Sequence, residues 1–241
     1  DNELNRTLLD EALGQLGHTV ETLDSGNAAV ATISARSRDF DAVLMDVVMP
    51  GLSGDGAARR IRDSVPEARD LPIVAITANA LAEQQAHYLE SGMTSVITKP
   101  IDFSRLDQHL QRLFQDSAPT LPAQEPPLAE DLLGTQQLLS LAKTIPLERL
   151  TEMGERALEV LEELISKLQI DATEPAEYAE IAHQIKGLAG NFGLVRLATL
   201  AREVEQLATA GSSVETRIRA MGEALGPSNE ALRQWFASTR G

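Results

Sequence analysis

Cysteine is absent from the 241 residues, so neither disulfides nor thiolate metal sites hold the fold, and a reducing compartment is allowed. Long apolar runs are missing too. Nothing approaches the roughly 18 consecutive apolar residues that cross a bilayer, and no basic-then-apolar leader pattern opens the sequence. The expectation is a soluble, cytoplasmic chain without direct membrane contact. Basic residues are scarce: 21 Lys and Arg against 36 Asp and Glu leave a formal net charge of -15, which repels phosphate backbones and disfavours nucleic acid as a partner. Protein partners are expected instead. The negative charge is shared nearly evenly by the two halves, so neither is an acidic tail.

What is there divides the chain in two. Residues 1–115 alternate helical patterns with short apolar runs. Leu4, Leu8, Leu9, Leu13 and Leu16 mark one face of a helix, and residues 18–23 read as a strand. A helix over 26–36 follows, then a strand over 42–45 running into Asp46, a Met-Pro-Gly-Leu-Ser-Gly loop at 49–54 and a helix near 55–64. Residues 71–77 and 95–98 read as strands, and 80–91 and 102–115 as helices. Strands spaced by helices predict a parallel sheet covered on both faces. Residues 116–131 hold four of the eleven prolines and read as an extended, semi-rigid linker. Beyond it, in 132–241, strand signals vanish. Helical periods cover about 136–143, 147–169, 175–190, 194–210 and 214–238, which predicts an antiparallel four-helix bundle. No internal repeat is present.

In a doubly wound sheet, reactive groups gather where strands end at their carboxyl edges. Asp46, Thr77 and Lys99 all fall at such ends. Asp1-Asn2-Glu3, Leu-Met-Asp46-Val-Val-Met-Pro50-Gly, Ile-Thr77-Ala and Thr-Lys99-Pro100 together resemble the signature of response-regulator receiver domains, in order and spacing, over about 1–115. The resemblance implies a flavodoxin-like fold in which Asp46 accepts a phosphoryl group. Mg²⁺ would be held by Asp1, Asp46 and the Val48 backbone carbonyl, with Lys99 as counter-charge and Thr77 donating its hydroxyl to the phosphoryl group. A carboxylate attacks phosphorus only when the phosphoryl oxygens are screened, which explains these residue types. Two features depart from the family. A strand usually precedes Asp1, so the first and central strand of the sheet is expected to be missing from this chain. Val96 stands three residues before Lys99, where many receivers carry a switching aromatic residue.

The helix near 175–190 carries the second constellation. Tyr178, Ile181, Ala182, Ile185, Leu188, Ala189 and Phe192 form its expected core face, which leaves His183 on the exposed side. Lys186 and Gly187 follow at i+3 and i+4, and Gly190 one turn on, in a single patch. A glycine inside a helix costs ~1 kcal/mol relative to alanine, so its place beside His183 suggests close approach by something else. Ala182-His183-Gln-Ile-Lys186-Gly187-Leu-Ala-Gly-Asn-Phe-Gly193 resembles the central helix of histidine phosphotransfer domains. The resemblance implies attack through His183 Nε2, charge support from Lys186, and partner docking over Gly187 and Gly190. Metal binding at His183 is disfavoured, because no second His or Cys lies at i+3 or i+4. His18, His87 and His109 lack companion motifs and read as solvated side chains, and residues 197–207 are expected to pack without chemistry.

A receiver joined to a phosphotransfer module resembles the C-terminal part of a hybrid sensor histidine kinase. That implies an upstream kinase core in the same polypeptide, a downstream response regulator, and a parent protein anchored in the bacterial inner membrane. The expected function is a phosphorelay between Asp46 and His183. Two alternatives stand beside it: a receiver that gates a helical interaction domain, and an acyl-phosphate phosphatase. A phosphatase of the haloacid-dehalogenase type would want an acid two residues after Asp46, where Val48 stands.

Overall fold

A computed structural model of the chain describes residues 2–78, 82–114, 132–170 and 174–239. The expected linker, 116–131, lies outside the described residues, as does Asp1. The chain divides into two compact units, Asp1–Glu125 and Pro126–Gly241.

In the first unit, helices α1 (Glu3–Gln15) and α2 (Gly26–Arg36) lead into β1 (Val43–Asp46), and α3 (Gly54–Ser64) into β2 (Ile73–Thr77). Then come α4 (Ala82–Glu90), β3 (Ser95–Thr98) and α5 (Phe103–Phe114). The side chains of Asn2 and Ser25 accept backbone N–H groups at the starts of α1 and α2, which sets where each helix begins. The three strands form a parallel sheet in the order β1-β2-β3. Every residue of β2 is buried, as expected of a strand covered on both faces. Ile33, Met45, Ala57, Ile61, Ile73, Ala75 and Met93 are among the residues that make the core.

Residues 18–23 are not a strand, contrary to the sequence-based expectation. The apolar signal is real, since Leu23 packs against the core, but a strand also needs a ladder partner. Among the described residues the sheet consists of β1, β2 and β3 alone, and none of them pairs with 18–23.

The second unit holds α6 (Thr135–Thr144), α7 (Leu147–Ile170), α8 (Pro175–Asn191), α9 (Val195–Thr209) and α10 (Glu215–Thr239). The last four pack in a closed ring: α7 on α8, α8 on α9, α9 on α10, and α10 back on α7. That is the four-helix arrangement read from the sequence. The α8–α9 turn shows how local chemistry sets it. Gly193 adopts φ +66°, the Leu194 N–H reaches the Ala189 carbonyl at 2.8 Å and the Gly193 N–H reaches Gly190 at 3.1 Å. This is the paired-bond helix stop in which a left-handed residue, here glycine, is favoured. The Gly134 N–H donates to the Gly193 carbonyl at 2.6 Å, which ties the start of α6 to the same turn.

Candidate functional site

The sheet register brings the first constellation together. Asp46 pairs with Ile76 and Thr77 with Thr98, so Asp46, Thr77 and Lys99 fall in step at the carboxyl ends of adjacent strands. The Lys99 N–H donates to the Thr77 carbonyl at 2.7 Å. Its ammonium donates to Asp46 Oδ2 at 2.5 Å, and the Val48 N–H donates to Asp46 Oδ1 at 3.3 Å. Both oxygens of the carboxylate are thereby oriented, with one positive charge in contact. Thr77 is 3% exposed, whereas the Val48 side chain is 47% exposed beside the carboxylate. The N-terminus of α3 closes on the same loop. The Gly54 N–H donates to the Val47 carbonyl at 2.9 Å, and a Cβ at Gly54 would lie 2.1 Å from the Asp46 carbonyl oxygen. Only glycine fits that approach.

No group of three His, Cys, Asp or Glu residues suited to a metal occurs among the described residues. Magnesium does not require one, since it binds through one or two carboxylates and keeps several waters. Asp46 with the Val48 carbonyl supplies oxygen donors of that kind, so the donor chemistry fits Mg²⁺.

The second constellation departs from the sequence-based expectation. His183 is 6% exposed, not solvated on an outer face, and Gly187 is buried as well. The assumption of one polar side failed because α8 buries residues around much of its circumference: Ile181, Ala182, His183, Ile185, Gly187, Leu188 and Ala189. His183 Nδ1 lies 2.7 Å from Glu205 Oε1 on α9, and Lys186 Nζ donates to Glu205 Oε2. His183 Nε2 is buried and makes no hydrogen bond among the described residues. Lys186 and Gly190 are partly exposed.

Glu205 contacts both His183 and Lys186, and motif reading passed over it, in a stretch assigned no chemistry. Burial pushes its carboxyl up, but hydrogen bonds from His183 and Lys186 and the Lys186 charge outweigh burial and hold it below the usual carboxylate range. A signal was present. Glu205 falls four residues after Ala201 and three before Ala208, both buried, so the helical period directs it toward the interior.

The other histidines differ from one another. His18 meets Asp107 at 3.1 Å and His87 meets Asp55 at 3.2 Å, both with partial exposure. His109 is 1% exposed, with Nε2 2.7 Å from Ser95 Oγ, so its reading as a solvated side chain is corrected. It follows Leu106 by three residues on the face of α5 that also buries Phe103 and Leu110.

Comparison with known proteins places both units. Residues 1–111 match the family described as response regulator receiver domain, and residues 147–236 match the Hpt domain family. The signal transduction histidine-protein kinase BarA of Shigella flexneri is 28% identical over 222 residues, 89% of this chain and 24% of that protein. The aerobic respiration control sensor protein ArcB of Escherichia coli strain K12 is 28% identical over 248 residues, 98% of this chain and 31% of that protein. The chain therefore spans only about a quarter to a third of these relatives' length. Among solved structures, the receiver domain of a sensor histidine kinase from Pseudomonas aeruginosa PAO1, described with a magnesium ion coordinated in its active site cleft, is 37% identical. That match covers 48% of this chain and 92% of that one, with a TM-score of 0.43.

Proposed function

We propose, from a chain that belongs to the two-component phosphorelay proteins by joining a receiver domain to an Hpt domain, that its Asp46 and His183 exchange one phosphoryl group. The receiver takes residues 1–115, the linker 116–131 and the phosphotransfer domain 132–241. The observation that carries this reading is that one chain holds two nucleophiles, each already oriented by a charged neighbour. Asp46 has Lys99 at 2.5 Å, and His183 has its Nδ1 engaged by Glu205 while Nε2 makes no hydrogen bond among the described residues.

In the receiver, Asp46 attacks phosphorus, and Lys99 offsets charge on the phosphoryl oxygens. Asp46, Asp1 and the Val48 carbonyl would hold Mg²⁺, which when bound screens those same oxygens. Thr77 donates its hydroxyl to the phosphoryl group. In the helical domain, Nε2 of His183 is the attacking atom, and Lys186 offsets the charge that arrives. The buried ring must be uncovered when the donor docks. Gly190, partly exposed one turn beyond Lys186, is kept for docking, while Gly187 serves packing.

The setting is a hybrid sensor histidine kinase of the bacterial inner membrane, with this segment in the cytoplasm. A kinase core in the same polypeptide supplies the phosphoryl group, and a separate response regulator receives it. Asp46→Asn in the parent protein keeps the shape and removes the nucleophile. Flow from the kinase core to His183 is expected to stop, while direct labelling of His183 by a separate phosphorylated receiver survives. Undiminished flow through Asp46→Asn overturns the assignment.

A further inference from the structure

We infer that Gly26, at the start of α2, is a positioning residue for phosphoryl acceptance: having no side chain, it lets α2 back the loop that follows Asp46 and so sets where that loop lies. The inference rests on Asp46 being the phosphoryl acceptor with a divalent cation beside it, and it deepens that reading by naming what holds the loop.

The loop runs from Val47 to Ser53, and its first residues act on Asp46. The Val48 N–H donates to Asp46 Oδ1 at 3.3 Å, and the Val48 carbonyl is the oxygen assigned to Mg²⁺. That hydrogen bond is slightly longer than an ordinary N–H to oxygen bond, so a small further shift breaks it. One support is the loop's own closure, in which the Gly54 N–H reaches the Val47 carbonyl at 2.9 Å. The other comes from α2. A Cβ at Gly26 would lie 2.5 Å from the Leu52 carbonyl oxygen and 3.3 Å from its carbon, with Ala57 Cβ also 3.3 Å away. The Leu52 atoms are backbone, so no rotamer change relieves the contact, and one segment has to move.

The loop is the segment that gives way. Helix α2 is held along its length. Ser25 caps its start, its Oγ accepting the Ala28 N–H at 3.3 Å and its carbonyl the Ala29 N–H at 3.0 Å. Ala29 and Ile33 are buried in the core, and Arg36 at the far end pairs with Glu21 at 2.6 Å. On the loop, Pro50 and Gly51 are exposed, and Met49, Leu52 and Ser53 are only partly buried. A methyl group at Gly26 therefore displaces Leu52, and the shift reaches Val48 along the same short loop. None of the residues assigned to the Asp46 site is on α2, so Gly26 acts only through the backbone of Leu52.

The test compares the full chain as wild type, Gly26→Ala, Leu52→Ala and Ile33→Ala. Mg²⁺ alone is titrated against the backbone amide ¹⁵N and ¹H shifts of Val48 and Lys99, and phosphoryl uptake from acetyl phosphate is measured against Mg²⁺ concentration. Gly26→Ala is expected to move the Val48 amide resonance before any Mg²⁺ is added. It is also expected to bind Mg²⁺ about tenfold more weakly, the low end of what a lost supporting group costs a metal site. Half-maximal uptake then needs correspondingly more Mg²⁺. Ile33→Ala removes core packing from the same helix away from its start, so it is expected to melt lower than wild type yet bind Mg²⁺ as wild type does. Leu52→Ala slackens the same contact from the loop side, weakens Mg²⁺ binding in the same direction, and decides where Gly26→Ala does not fold. A folded Gly26→Ala with the wild-type Val48 shift and Mg²⁺ affinity overturns the inference. Equal loss of Mg²⁺ affinity in Ile33→Ala also overturns it, as does wild-type affinity in a folded Leu52→Ala. If wild type neither binds Mg²⁺ nor takes label on Asp46, the underlying reading fails instead.

Discussion

His109 shows what burial does to a single titratable side chain. Burial first, and the nearby Arg112 charge second, push its imidazolium pKa below the ordinary value. The folded receiver therefore resists a proton that the unfolded chain accepts near pH 6.5. The stability this group contributes is complete above pH 6.5 and is lost as pH falls from there through the folded value. Urea unfolding of the first unit is expected to show a falling midpoint from pH 7 to pH 5.5, and His109→Gln should flatten that slope. An unchanged slope in the variant would assign the acid sensitivity to another group. At this scale, motif reading singled out Asp46, Thr77 and Lys99, which the structure brings together at adjacent strand ends, and His183, which it places in the middle of α8. It did not find Glu205 or the burial of His109. Each is a lone polar residue next to an apolar helical stripe, where one position of rotation separates solvent from core.

The elements divide along similar physical lines. Helix α2 spans Gly26–Arg36, as its own periodicity predicts, and β1 spans Val43–Asp46, one residue beyond the apolar run at its carboxyl end. Residues 18–23 do not form a strand because strand identity depends on a partner, which a local pattern does not contain. Helix α8 misled for a different reason: a helix walled on several sides has no outer face to read. That correction reverses an expectation for Gly187. With the position buried, Gly187→Leu adds a large side chain to packed space and should destabilise the helical unit by about 1–3 kcal/mol or more. Gly54→Ala is the counterpart in the receiver, since its Cβ would lie 2.1 Å from the Asp46 carbonyl oxygen. A similar loss of about 1–3 kcal/mol is expected there, with slower phosphoryl uptake as the backbone of Asp46 is displaced. Thermal melts followed by circular dichroism check both, and each substitution should shift only the transition of its own unit.

On the scale of the whole molecule, the proline-rich 116–131 segment and the change of period beyond it marked two units in the sequence, and two compact units are found. Each carries a proposed phosphoryl acceptor near a lysine: Asp46 with Lys99, and His183 with Lys186 across the shared Glu205. The central claim is that one phosphoryl group passes between them. The most direct measurement incubates the full chain with radiolabelled acetyl phosphate and Mg²⁺, then sorts the label by chemical lability into acyl phosphate and phosphoramidate. The account predicts both, with the phosphoramidate on His183 and lost in Asp46→Asn. Label confined to Asp46, or rapid release of free phosphate with nothing on His183, would contradict it.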